Sequence, residues 1–235
     1  MSLILNIETA TSACSVALAN NGNIIASKEI DDGHVHAEKI TLFIQELMKE
    51  ASLPLTKLDA IAVGTGPGSY TGLRIGTATA KGLCYSLDKP LIAVPTLKAM
   101  AYGAAQKLQR TDALYCPMID ARRLEVYTAL YDYNSKEIMP VQAKILDNTS
   151  FSELTPNPSL SEREGNMVFF GDGMPKMREL FANDTSKIWL DDIKASALNM
   201  CHMAEEMFTA KSFSDVAYYE PFYLKDFVAG KKITH

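Results

Sequence analysis

The glycine-rich stretch Gly64-Thr65-Gly66-Pro67-Gly68-Ser69-Tyr70-Thr71-Gly72-Leu73-Arg74-Ile75-Gly76 constrains the fold of this 235-residue chain more than any other segment. It follows an apolar run, 58–63, that reads as a buried strand, and it opens a helix of small residues over about 71–87. Glycines at 64, 66 and 68 permit a left-handed backbone and close approach, and Ser69 or Thr71 can cap a helix whose N-terminus favours anions. Gly72, Gly76, Ala78, Ala80 and Gly82 strip bulk from that helix, so a neighbouring element can pack closely. The spacing matches neither a Walker loop, which needs Gly-Lys-Ser/Thr at its end, nor the dinucleotide fingerprint. A strand–turn–helix follows, and its turn suits a phosphate cradle as well as a close-packing surface.

An antiparallel meander precedes it. Residues 3–7 read as a buried strand, 15–19 as its return, Asn20-Asn21-Gly22-Asn23 as a turn and 24–29 as a third strand. Between 37 and 51, Ile40, Phe43, Ile44, Leu47, Met48 and Ala51 recur at helical spacing, which predicts an amphipathic helix that Pro54 stops. Residues 91–94 give another strand ahead of Pro95. The pattern then restarts: 114–119 is an apolar strand ending in Asp120 and 124–131 alternates, so Ile7-Glu8 and Ile119-Asp120 hold matching places. The expected fold class is α/β, two tandem ribonuclease-H-like lobes as in actin-like ATPases, spanning 1–105 and, reduced, 106–235. Residues 147–166 read as a loop, helices return near 175–182 and 194–210, and the aromatic tail at 214–235 is expected to pack back onto a lobe.

Charge narrows the function. Lys and Arg total 23 against 28 Asp and Glu, a net charge of -5, so the chain lacks the basic footprint needed to hold nucleic acid unaided. Cys14, Cys84, Cys116 and Cys201 are widely spaced and form no metal-ligand pattern, which reads as buried reduced thiols. The sequence shows neither a basic leader nor a long apolar run, so a cytoplasmic location without a membrane span is expected.

The first hairpin carries Glu8-Thr9-Ala10-Thr11. A hydroxyl-rich turn beside an acid can hold phosphate through backbone N–H groups and a metal through the carboxylate, or it can be a tight turn braced by threonines. Glu8, Thr9, Thr11, Gly66, Gly68 and Ser69 therefore form the candidate nucleotide-binding set. His34 and His36 read as polar residues at a helix start and His202 as a packed or surface histidine. Asp120, Arg122 and Glu125 read as an ion-pair network beside a strand. No GxSxG, HExxH or Cys-His signature occurs, so no catalytic residue, metal or cofactor is expected.

ILNIETATSACSVAL, GTGPGSYTGLRIGTATAKGL, IDARRLEVY, FFGDG and PFYLKDFVA together resemble the TsaB family over nearly the whole chain. The resemblance implies a non-catalytic relative of TsaD, the transferase that moves a threonylcarbamoyl group from an adenylate to the adenosine beside the transfer-RNA anticodon. TsaD carries two metal-binding histidines four residues apart where this chain has Thr96 and Met100, and the superfamily usually has Asp where this chain has Glu8. The implied role is a scaffold that pairs with a TsaD-like transferase and admits a TsaE-like ATPase. An adenylate-forming enzyme works alongside, transfer RNA touches the chain only through the complex, and a homodimer is implied when TsaD is absent. The implied interface is Ile40, Phe43, Ile44 and Leu47 on the first helix with Gly72, Arg74, Gly76 and Lys81 on the second. The rival expectation is a small-molecule kinase or ATPase that uses the hairpin residues around magnesium.

Overall fold

Nearly continuous burial along β1 (Leu3–Glu8) and β2 (Ala13–Asn20) puts buried side chains on both faces of one sheet, so this sheet must be covered twice. A computed structural model of the chain describes residues 2–31, 36–151, 166–182 and 187–225, with backbone alone at 36–38. β3 (Asn23–Asp31) completes the meander, and β4 (Ala60–Gly64) and β5 (Leu91–Val94) extend it in the order β3-β2-β1-β4-β5. β1 pairs antiparallel with β2 and parallel with β4, which puts the first strand at the sheet's centre. α1 (His36–Glu50) and α2 (Tyr70–Leu87) cover one face, where Ile40, Ile44, Leu47, Ala80 and Cys84 meet Leu5, Ile7, Val16 and Leu18.

The second sheet repeats the plan. β6 (Leu114–Asp120), β7 (Glu125–Tyr131) and β8 (Glu137–Ile145) form its meander, and β9 (Met167–Phe170) and β10 (Ile188–Leu190) add parallel strands in the order β10-β9-β6-β7-β8. α4 (Met174–Leu180) covers its outer face with Met174 and Met177. β8 is the sheet's edge strand and carries Pro140, and the central β6 carries a second proline, Pro117, opposite Phe170 of β9.

α3 (Thr96–Leu108) is the layer the two sheets share. Its Ala99 packs with Ala62 and Ile92 of the first sheet, and its Leu97, Met100, Ala101, Ala104 and Ala105 pack with Tyr115, Ile119 and Phe170 of the second. Alanine after alanine lets one helix lie flush against two neighbours. The chain then returns to the first lobe: α5 (Cys201–Thr209) packs on Ile4, Ala60 and Val94, and Ser214 N donates to Leu91 O at 2.9 Å along the outer edge of β5. The strands of the first sheet lie between 3 and 94 and those of the second between 114 and 190. Residues 197–222 pack against the first sheet. Cys14, Cys84, Cys116 and Cys201 are free and buried, and no helix among the described residues is long and apolar enough to cross a membrane.

Two substitutions should move stability in opposite directions. Leu47 is fully buried between α1 and the sheet, so Leu47→Ala should cost ~2–5 kcal/mol in chemical denaturation. Gly82 sits inside α2 with nothing within 4 Å of where a Cβ would stand, so Gly82→Ala should gain ~0.5–1 kcal/mol in the same assay.

Candidate functional site

Glu8 ends β1 and is 1% exposed, yet both oxygens of its carboxylate accept hydrogen bonds from the chain itself. The backbone N–H groups of Thr9 and Ala10 both donate to Oε1 at 2.8 Å, and the Thr96 hydroxyl donates to Oε2 at 2.9 Å. Thr96 in turn accepts from Gly66 N at 3.1 Å, so the first residue of α3 joins the carboxylate to the glycine loop. Burial pushes Glu8 above the usual carboxylate range, and the hydrogen bonds from Ala10, Thr96 and Thr9 pull against it. The chain reaches this arrangement only because glycine stands at 64. A Cβ there would lie 2.2 Å from Glu8 Oε2.

The same hairpin braces α2. Thr9 Oγ1 donates to Gly72 O at 2.8 Å, Ser69 N donates to Ala10 O at 2.6 Å, and Ser69 Oγ caps the helix by accepting from Gly72 N at 3.2 Å. A Cβ on Gly68 would stand 2.1 Å from Ala10 O, so the turn and the hairpin touch backbone to backbone. The glycine turn is thus a close-packing surface, one of the two uses its composition allowed.

In front of this junction, a cleft of about 730 Å³ opens between the lobes. Thr11, Gly68 and Ser69 line it, facing Asp120, Arg122 and Asp172 of the second lobe. Glu8, Thr9 and Gly66 are buried and are not among the lining residues, so the six candidate nucleotide-binding residues divide into three in the cleft and three behind it. Asp172 comes from the FFGDG segment, accepts from Asp120 N at 3.3 Å and is pushed up to about 6, by loss of water first and by the Asp120 charge as well. Asp120 pairs with Lys176 at 2.7 Å and Glu125 with Lys225, so these acids are ion-paired with lysines from other segments, not with Arg122. Arg122 joins through its backbone N–H, which donates to Asp120 Oδ1.

The expected interface residues fall mostly inside the molecule. Ile40, Ile44 and Leu47 are buried in the core beneath α1, and Phe43 is half-buried against it. Gly72 and Gly76 are buried, and Gly76 lies beneath Thr9. Lys81 donates to the carbonyls of Ala217 and Tyr219, both at 3.1 Å, and so ties the tail down. Arg74 alone of the eight is open, resting over the Tyr70 ring, which packs on Tyr223. The apolar stripe of α1 faces its own sheet because amphipathicity marks the buried side of a helix, whichever molecule does the burying. The surface that α2 turns outward carries Arg74, Ala78, Gly82 and Tyr85, the last 88% exposed, with Leu42 of α1 at 47%. His202 is half-exposed, stacks on Tyr102 and meets Glu206. His34 and the His36 side chain lie outside the described residues, as does most of the 147–166 segment.

A protein of Escherichia coli strain K12 named tRNA threonylcarbamoyladenosine biosynthesis protein TsaB is 34% identical over 232 residues, covering 98% of this chain and 97% of that protein. The chain belongs to the TsaB family. The family model described as TsaD, tRNA N6-adenosine threonylcarbamoyltransferase, matches residues 29–232. Among solved structures, a Pseudomonas aeruginosa protein described as uncharacterized with similarity to peptidase YeaZ superposes with a TM-score of 0.79 at 25% identity, covering 96% of this chain and all of that one. An activator of 2-hydroxyisocaproyl-CoA dehydratase from Clostridium difficile shares the fold at a TM-score of 0.53 and 11% identity, covering 89% of this chain and 97% of that one. The architecture is that of the actin-like ATPases, two tandem ribonuclease-H-like lobes. In this TsaB-family chain, Thr96 and Met100 are both buried, one holding Glu8 and the other packed against the second sheet, and among the described residues no cluster of three His, Cys, Asp or Glu could hold a metal ion. The resemblance marked Thr96 only as a position where TsaD carries a histidine; its hydrogen bond to Glu8, 88 positions away, shows only in the fold.

Two measurements check this geometry. Thr96→Val keeps the shape but strips a donor from Glu8 and an acceptor from Gly66, and should lower stability by ~1–3 kcal/mol in urea denaturation. Asp172 holds its proton more tightly folded than unfolded, so the stability it contributes is full below about pH 4 and is lost as pH rises through about 6. Asp172→Asn should therefore gain melting temperature relative to the parent across that interval and run parallel to it on either side.

Proposed function

We propose that this chain is a non-catalytic subunit in the synthesis of threonylcarbamoyladenosine on transfer RNA, holding a TsaD-like transferase in a competent state. The observation that carries this reading is the full-length relationship to TsaB in a chain whose Thr96 and Met100 are committed to internal packing. A fold without reacting groups can still supply a surface. The outward stripe of α2, Arg74-Ala78-Gly82-Tyr85, lets a second helix come close at its small residues and offers an arginine and a tyrosine beside them. A transferase of related fold presents helices suited to that contact. The TsaE-like ATPase then joins the assembled pair, the adenylate-forming enzyme supplies the activated group, and transfer RNA meets the chain only as part of the complex. The same surface pairs two copies of the chain when the transferase is absent.

A second reading, a nucleotide-dependent kinase or ATPase, is favoured by the cleft, whose Ser69, Asp120 and Lys225 offer the polar lining a phosphorylated ligand needs. Against it, the Glu8 carboxylate that would hold magnesium is taken up by the donors of its own hairpin and of Thr96.

The deciding experiment is reconstitution of threonylcarbamoyl transfer with cognate transferase, ATPase and adenylate-forming enzyme, with and without this chain. Modification should require it. Ala78→Arg, on the open stripe, should abolish co-elution with the transferase and modification together while leaving the melting temperature within a few degrees. Phe43→Asp is unsuitable, since Phe43 packs on the core. Undiminished modification without the chain, together with steady ATP turnover by the chain alone, overturns the subunit reading in favour of the second.

A further inference from the structure

Two consecutive backbone N–H groups and a hydroxyl converge on one point, and that point is occupied by a side chain of the same hairpin. Thr9 N and Ala10 N aim at Glu8 Oε1, and the Thr96 hydroxyl, fixed by Gly66 N, aims at Oε2. Such a nest of donors is a seat for an oxyanion. Its walls are fitted to the occupant: the missing Cβ of Gly64 leaves room for Oε2, and Ala10 is held from the other side by Ser69 N. Ala10 and Gly68 also line the cleft between the lobes, so the seat lies one residue behind open space.

We infer that this is a small-carboxylate binding site filled by the protein's own Glu8, which acts as a permanent internal ligand. The side chain folds back onto the N–H groups of its two following residues. With the seat filled, the hairpin is complete without any external molecule, and through Thr9 Oγ1 and Gly72 O the set of α2 is complete as well. This inference concerns the isolated chain and stands apart from the assembly reading, so either can fail alone.

Emptying the seat tests it. Glu8→Ala removes Cγ, Cδ and both carboxylate oxygens, which are the methyl carbon, carboxyl carbon and oxygens of acetate. The melting temperature of Glu8→Ala should fall below the parent's and climb as sodium acetate replaces sodium chloride up to roughly 100 mM at constant ionic strength, as mass action on a folded-state ligand requires. Formate should act in the same direction, and the parent, already filled, should not respond. Glu8→Gln, which keeps the shape and an oxygen for Thr9 N and Ala10 N, should be indifferent to acetate. If Glu8→Ala does not fold alone, the readout is soluble yield on refolding, expected to be higher in acetate than in chloride. Equal response of parent and Glu8→Ala, no response of Glu8→Ala in melting or refolding, or a larger response to inorganic phosphate than to acetate overturns the inference.

Discussion

The closure of Glu8 onto Thr9 N, Ala10 N and the Thr96 hydroxyl is the contact on which the arrangement of the first lobe depends. A buried acid is expensive unless its oxygens are met, and hydrogen bonds to a charged group contribute about 1.5–3 kcal/mol each. Meeting them here recruits three separate pieces of chain: the β1–β2 hairpin, the glycine loop through Gly66, and the start of α3. From the hairpin the constraint passes to α2 by way of Thr9 and Gly72, and from Thr96 it passes along α3 to the second sheet. One side chain therefore fixes both the helix that faces outward and the helix that joins the lobes.

The cleft between lobes persists, with Asp120 and Asp172 on one wall and Ser69 on the other. Behind it Thr96 donates to Glu8 and Met100 packs against the second sheet, both buried. What is left on the outside of α2 is a narrow track of small residues bounded by Arg74 and Tyr85. Its backbone is braced from within by the hairpin and from the side by Lys81 on the tail carbonyls.

Much of the architecture was legible in residue order. The meander, the first helix and the restart near Leu114 follow from periodicity, because strands and helices sort their apolar residues by geometry, while the second helix was read from its glycine-rich start and small residues. β8 and β10 were not: one is an edge strand interrupted by Pro140, the other is short, and neither carries a clean alternation. α3 escaped for a different reason, since a helix buried on two sides shows little contrast between its faces. At the site, Glu8 and the glycines stood out by type, whereas the role of Thr96 as a donor to Glu8 showed only through its contact. The apolar residues of α1 were the natural choice for an interface and proved to be core, because burial within one chain and burial between two leave the same pattern.

The central claim is that the chain is set for its partner without a ligand. Amide hydrogen exchange of the chain alone, with magnesium ATP, and with the cognate transferase measures this directly. The account predicts that Thr9 and Ala10 are protected in all three states, that magnesium ATP changes nothing in residues 8–11, and that the transferase adds protection along 70–87. Hairpin amides that exchange freely in the isolated chain and become protected on adding magnesium ATP would contradict it.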